Sequence, residues 1–335
     1  MENKNTLQAR SARRMKSDTV QKLIILGVLI IVYLFFYWRS TSFRKYTTFV
    51  QICTNMYYVL LISIGVTFPL ITGGNDLSMG TGLICYSVIG SYLIRINGWG
   101  VIPAIIVTIL MGVVMGVVNG VIVAKFELPP FIVTLSSMMF CRGMGAVLTN
   151  NFSGTWPNGA EEGAWFRNAF KIVVKNSAGK KMPVPVAMIW LIVLVLVMEF
   201  VLKHTRVGRY IIAIGSNKEA LKLSGVNVFK WHVFAYVISG FFTGLAAVAY
   251  AATFPNITPG QGAGLELNAI GSAIIGGTAM SGGSGSVVGT LLGVLLISVL
   301  QAGLPYVGLN ADWQLLITGV ILMAAVTIDK MREGK

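Results

Sequence analysis

The chain has 335 residues, of which 55% are hydrophobic and only 11% charged, and it carries a formal net charge of +14. Soluble domains hold roughly 25% charged residues, while here apolar runs approach the ~20 residues of a bilayer crossing again and again, which excludes a soluble fold. A closed barrel needs strands that alternate polar and apolar residues, and no stretch does so for long, so the pattern is that of an all-α, polytopic membrane protein.

The basic residues are not gathered as a nucleic-acid surface. They cluster before residue 23, between Lys203 and Lys230, and after Thr327, each time beside an apolar run, as the positive-inside rule describes. Residues 1–22 read as a cytoplasmic tail. The run Leu23–Trp38 lacks a small-residue cleavage site after it and reads as an uncleaved first span. Ten spans follow the apolar pattern: 23–38, 49–72, 80–94, 101–124, 131–149, 185–202, 232–254, 267–280, 286–304 and 313–328. Together, residues 23–328 form one transmembrane domain with a loop at 149–184 outside, a polar island at 203–231 inside and a cytoplasmic tail at 329–335. Trp156 and Trp165 of the outer loop are expected along the membrane interface. Cys53, Cys85 and Cys141 sit within apolar stretches with no metal spacing, and His204 and His232 border the island without ligand companions.

Two of these spans are short. The run 80–94 follows Gly73-Gly74-Asn75-Asp76-Leu77-Ser78-Met79-Gly80, and 267–280 leads into Gly276-Gly277-Thr278-Ala279-Met280-Ser281-Gly282-Gly283. Both read G-G-x-x-[L/M]-S-x-G, with structural turns expected at Gly73, Gly74, Gly276, Gly277, Ser281 and Gly282. Gly-interrupted helices in corresponding places of two halves point to a transport path. Six spans lie between, so the halves would form a parallel repeat; in a chain with 38 glycines, chance similarity is the competing reading.

Asp76 falls at or within the membrane. It either pairs with Arg142, the basic residue inside a span, or caps the following helix. Glu199 lies near the inner end of its span, where it can reach water, and Glu266 could cap or line the outer mouth of the short span. Asn119 and Asn268 are either hydrogen-bonded glue between helices or contacts for a solute. In the polar island, Ser216 and Glu219 have the spacing of a capping box, and Gly225 is suited to end a helix in the left-handed region. The two turns between them are too short to be stable alone, so the helix is either an ordinary surface element or one that needs a partner. There is no phosphate-binding loop and no nucleophile–base set. The chain is not expected to be an enzyme or to bind a metal or cofactor.

Four stretches together resemble the permease subunit of bacterial ABC sugar importers of the ribose/galactose type. They are Thr72-Gly-Gly-Asn-Asp-Leu-Ser-Met-Gly80; Pro129-Pro-Phe-Ile-Val-Thr-Leu135 with Arg142-Gly143; Thr205-Arg-Val-Gly208 through Ala220 to Ser224-Gly-Val-Asn227; and Glu266-Leu-Asn-Ala-Ile270 through Gly276-Gly-Thr278 to Thr290. The resemblance implies a multi-pass inner-membrane protein with both termini cytoplasmic. The implied partners are a cytoplasmic ABC ATPase that uses the ATP, a periplasmic sugar-binding protein and a second permease copy. It also implies that the island holds the coupling helix, through Ser216, Asn217, Glu219, Ala220, Leu221 and Gly225. Leu221 stands where the importer motif has a second alanine, and the motif's downstream I-x-L-P is missing. A sugar path would be lined by neutral hydrogen-bonding and aromatic groups, here Thr72, Asn75, Phe131, Thr134 and Asn268, with the carboxylate Asp76 also placed on the path. A secondary transporter driven by an ion gradient, with Asp76 binding the ion, is the alternative, and a membrane scaffold without a path is a third reading.

Overall fold

A computed structural model describes residues 4–175 and 181–333. Eleven helices account for most of these: α1 (Lys4–Arg39), α2 (Tyr46–Ile71), α3 (Met79–Arg95), α4 (Val101–Phe126), α5 (Pro130–Leu148), α6 (Ala187–His204), α7 (Arg206–Leu223), α8 (Val228–Thr253), α9 (Leu265–Ile275), α10 (Val287–Gly303) and α11 (Ala311–Glu333). Seven of them, with α1 counted from Thr19, are long and apolar enough to cross a bilayer. The expected spans at 80–94, 267–280 and 313–328 correspond to α3, α9 and α11. The first span does not begin at residue 23 as a helix, because α1 runs on from Lys4.

Burial sorts the helices into centre and rim. In α2 and α8 the most apolar windows are 78% and 72% buried, against 11% in α1. From Met56 to Ile71 every residue of α2 is buried, the mark of a helix enclosed on all sides. The tightest pairing is between α4 and α8. Gly112, Gly116 and Gly120 recur every fourth residue on α4 and meet Tyr236, Gly240 and Gly244 of α8, where added Cβ atoms would strike the opposing backbone. Small residues at this spacing let two helices approach closely enough for dispersion to hold them where lipid supplies no hydrophobic force. The three α4 glycines are visible in the sequence, but nothing there names α8 as their partner. A second close approach joins α9 to α10, through Gly276 against Gly289 and Ser272 against Gly293.

The segment 149–184 is more than a loop. It holds a 3-10 turn (Ala164–Ala169) and an antiparallel hairpin of β1 (Ile172–Lys175) and β2 (Lys181–Val184). Trp156 does not lie along the interface. It is fully buried, and its indole donates to the Ser87 carbonyl at 2.9 Å. Trp165 is 57% exposed. Arg167 donates to the Trp156, Pro157 and Ala252 carbonyls, while Gly154 bridges to Ile257. The segments 149–184 and 254–264 are thus tied to the ends of α3 and α8.

Arg95, at the end of α3, donates to Glu161 at 2.6 Å and to the Thr155 carbonyl. The hydrogen bond from Arg95 holds the Glu161 carboxyl below its ordinary range. A depressed carboxylate stabilises the folded loop above its unfolded pKa and ceases to do so as pH falls through its folded value. Amide protection factors across 154–162 are therefore expected to drop on acidification from about pH 5 to pH 3. Glu161→Gln should remove that dependence; an unchanged profile in the variant would show that another group controls it.

Candidate functional site

Both glycine breaks end their preceding helix in the same way. After α2, Gly73 adopts φ +82° and the Gly74 N–H reaches the Pro69 carbonyl; after α9, Gly277 adopts φ +95° and the Thr278 N–H reaches the Ala273 carbonyl. Each is a Schellman cap with a left-handed glycine. The structural match is one residue out of step with the sequence match, because Gly276 has φ −65° and aligns with Thr72. Gly80 lies inside α3, while Gly283 is in a turn at φ +75°. The shared octapeptide pattern therefore reflects a common helix ending, and the backbones differ beyond it.

The two breaks touch. The Gly283 N–H donates to the Ile71 carbonyl at 2.8 Å, and a Cβ on Gly282, itself at φ +91°, would lie 2.8 Å from the Gly73 nitrogen. Gly215 of α7 completes the junction: a side chain there would strike the Ile71 carbonyl and the Gly283 nitrogen. Ser216 Oγ lies 3.5 Å from the Gly283 carbonyl. The end of α2, the 281–283 turn and α7 thus meet at one point, through closely approaching backbone and the Ser216 hydroxyl.

Beyond that point α7 kinks. Asn217 has φ −162° and ψ 94°, and its Oδ1 accepts from the Ala220 N–H at 2.9 Å. The cap is therefore Asn217, and the expected Ser216–Glu219 box does not form; the Ser216 hydroxyl instead donates back to the Ile212 carbonyl. Asn217 terminates the first half of α7 because its side chain competes for the backbone. The second half, 217–223, stands away from the bundle, with Leu223 89% exposed and Gly225 following at φ +77°. Lys218 ties it sideways to Glu127 at 2.7 Å, and this hydrogen bond keeps the Glu127 carboxyl below its usual range.

Asp76 lies in the turn ahead of α3 and is 2% exposed. The pairing with Arg142 is absent. One carboxylate oxygen accepts from the Ser78 N–H at 3.0 Å and the Ser78 hydroxyl at 2.6 Å, and the other accepts from Ser239 at 2.6 Å. Neither expectation for Asp76 is met as stated: Ser78 is the N-cap of α3 and no side chain caps its first turn, while the Asp76 carboxylate holds Ser78 from the turn just ahead, where it suits the partial positive charge of the α3 N-terminus. The chain of bonds continues: Asn119 donates to Ser78 Oγ at 3.1 Å and accepts from Ser137 at 2.5 Å. Five buried polar side chains thus bind α3, α4, α5 and α8 together. Asn119 is glue, as one reading had it, whereas Ser78, Ser137 and Ser239 gave no sequence signal, since serine is common in spans. Glu199 plays a similar part at α10. It accepts from the Ser286 hydroxyl and from the Val287 and Val288 N–H groups, and it pairs with Lys203 at 2.5 Å.

The other lining candidates do not form one constellation. Thr134 is buried, and its hydroxyl lies 2.9 Å from the Pro130 carbonyl and 3.5 Å from that of Asn75. Thr72 is buried and donates to Pro69, while Phe131 is 55% exposed. Asn268 stands apart on α9. Between α4 and α5 lies an apolar groove of about 850 Å³, with Met111, Met115 and Phe140 among its walls.

Residues 48–326 match the family described as branched-chain amino acid transport system / permease component. The chain belongs to this permease family. The ribose import permease RbsC of Escherichia coli K12 is 32% identical over 281 residues, covering 82% of each chain. The ribose import permease RbsC of Bacillus subtilis 168 is 35% identical over 276 residues, again covering 82% of each. The galactose/methyl galactoside import permease MglC of Haemophilus influenzae is 31% identical over 331 residues and 93% of each. No solved structure matches the chain. In this permease the matched region takes in both glycine breaks, the Asp76 network and all of α7.

Proposed function

We propose that this permease is the membrane subunit of an ATP-driven importer that moves a small sugar across the inner membrane. A homologue family described by amino acids leaves two solute classes open, but relatives named for ribose, galactose and fructose align over most of their length. The ion-coupled alternative needed a titrating Asp76, whose oxygens are already taken by Ser78 and Ser239.

The chain crosses ten times, with both termini cytoplasmic. Helix α9 has 11 residues, about 16 Å at 1.5 Å per residue, half of a ~30 Å hydrocarbon core. The loop ahead of it makes up the remainder, since Gly262 packs against Gly80 and Ile84 of α3 while Ile257 stays with the outer loop. Irregular backbone at this depth is tolerated where it lies within protein or along a cavity. The two ATP-using subunits, the binding protein and a second permease copy complete the importer, and no nucleotide binds this chain.

The observation that carries the assignment is the form of α7. A capped two-turn helix with an exposed Leu223 projects from the bundle, and its root is wedged by Gly215 against both glycine breaks. A helix this short needs a partner, and a root this tight passes any displacement of the helix to α2 and to the 276–286 segment. Residues 217–223 are the element that docks in the ATPase. Purified gently from its host, the tagged permease is expected to bring down a stoichiometric ATPase that is lost when 217–223 is scrambled. An intact preparation without any ATPase would end this reading. Asn217→Ala should weaken the docking helix by about 1 kcal/mol and lower ATPase stimulation several-fold, with insertion unchanged.

A further inference from the structure

With Asp76 satisfied by serines, Arg142 is left to be explained. It lies past the middle of α5 on the exposed side of the helix, and among the described residues it has no hydrogen-bond or ion-pair partner. A guanidinium at the depth of a membrane helix is costly unless it faces water or a polar ligand, and such residues mark solute paths. Its surroundings mix polar groups with Ile84, Cys85 and Cys141. Arg142 shares a shallow cleft with Thr81 of α3 and with Pro259, Gly260 and Gln261 of the loop that descends to α9. Gly260 adopts φ +88°, and an added Cβ there would come 4.0 Å from Arg142 Nε, so the loop passes beside the guanidinium. The cleft has room for about one water, 10 Å³, as it stands.

Behind the cleft lies a buried carboxyl group. Glu266 is 7% exposed, its Oε1 accepts from the Gly264 N–H, and its Oε2 has no partner among the described residues. That oxygen lies against Gly80, whose neighbour Thr81 is in the cleft wall. The cleft thus offers directional donors beside a buried acceptor. On the same stripe of α5, at helical spacing, stand Phe131, Leu135 and Met138, with Phe131 the exposed aromatic face about 16 Å away along the axis. A sugar ring has hydroxyls at its rim and C–H groups on its faces. A planar fork of N–H donors suits a pair of adjacent hydroxyls, and an aromatic ring suits the C–H face.

We propose that Arg142 is a sugar-contacting residue of the translocation path, its guanidinium donating to two neighbouring hydroxyls at a station in the outer half of the membrane. This rests on the importer reading, so the test is done on the reconstituted complex of permease, ATPase and binding protein in phosphatidylcholine vesicles. Labelled ribose and labelled leucine are the probes. ATP-dependent ribose uptake by the wild type is the entry condition; leucine uptake instead would overturn the importer-of-sugar reading itself. Arg142→Gln and Arg142→Lys are each expected to lower maximal ribose uptake roughly tenfold or more. Complex assembly and ATPase stimulation by loaded binding protein should stay within twofold, so that less ribose moves per ATP. A ribose analogue lacking one hydroxyl of a vicinal pair should be disfavoured by the wild type and hardly distinguished by Arg142→Gln. Full uptake in Arg142→Lys would mean that charge alone matters, as for a lipid phosphate, and would overturn the proposal. Parallel loss of assembly and ATPase stimulation would do so too, by placing Arg142 at a contact between subunits.

Discussion

Gly282→Val is expected to abolish ATP-driven uptake, by a hundredfold or more, while leaving a permease that still inserts and still binds its ATPase. Gly282 sits where the Ile71 carbonyl, the Gly73 nitrogen and the Gly215 Cα all approach, at 2.9, 2.8 and 3.1 Å from a Cβ built on it. None of these is the end of a flexible side chain that could swing aside. Its φ of +91° is also one that a β-branched residue avoids, at a cost of roughly 1–3 kcal/mol before any collision. The 281–283 turn must then move off the end of α2 and open the wedge that holds the root of α7. The projecting half, 217–223, is on the far side of the kink and keeps its own cap. Docking should survive while transmission fails. Gly308→Ala is the control, because its φ of +85° carries a similar backbone strain but an added Cβ meets nothing within 4 Å. Paired measurements of ATPase co-purification and sugar uptake decide the matter. Normal uptake in Gly282→Val would show that force does not pass through this junction.

The span pattern was legible because hydropathy over ~20 residues is set by the lipid and needs no tertiary knowledge. What hydropathy could not weigh was depth: 267–280 and 80–94 are equally apolar runs, yet one holds a helix of 11 residues and the other of 17. Glycine doublets showed where helices end, but the matching register was set by which glycine takes the left-handed position, Gly73 or Gly277, and identical letters cannot show that. Arg142 and Asp76 were natural partners by charge in an apolar chain. The structure prefers hydroxyls because Ser78 lies two residues along the same turn and Ser239 faces it across α8. Serine can be spent on its own backbone, as Ser63 is on Val59, so its presence in a span carries little information about partners. The cap at Asn217 was missed by one residue for a related reason: Ser216 and Asn217 are both good caps, and the choice between them fell to Gly215, whose wedge fixes where the first half of α7 must stop.

Asp76→Ala tests how far the bundle depends on one carboxylate. The substitution leaves the Ser78 N–H, the Ser78 hydroxyl and the Ser239 hydroxyl without their acceptor, all of them buried. A buried donor without a partner costs about 1–3 kcal/mol. Ser239 can turn to its own helix carbonyl, so the sum is set mainly by Ser78, at roughly 2–4 kcal/mol. Because Asn119 and Ser137 hang on Ser78, the loss is expected to loosen α4 and α5 as well as α3. Thermal unfolding in detergent should show a clear fall in midpoint for Asp76→Ala. Asp76→Asn should fall much less, since its carbonyl still accepts at Ser78 and the Ser239 hydroxyl can accept from the amide. An ion-binding Asp76 makes a different demand: transport would vanish equally in both variants, because neither can carry the charge. A graded fall in stability, with uptake retained in proportion by Asp76→Asn, identifies the carboxylate as the clamp between α3 and α8. Equal melting of wild type and Asp76→Ala would mean that the clamp contributes nothing.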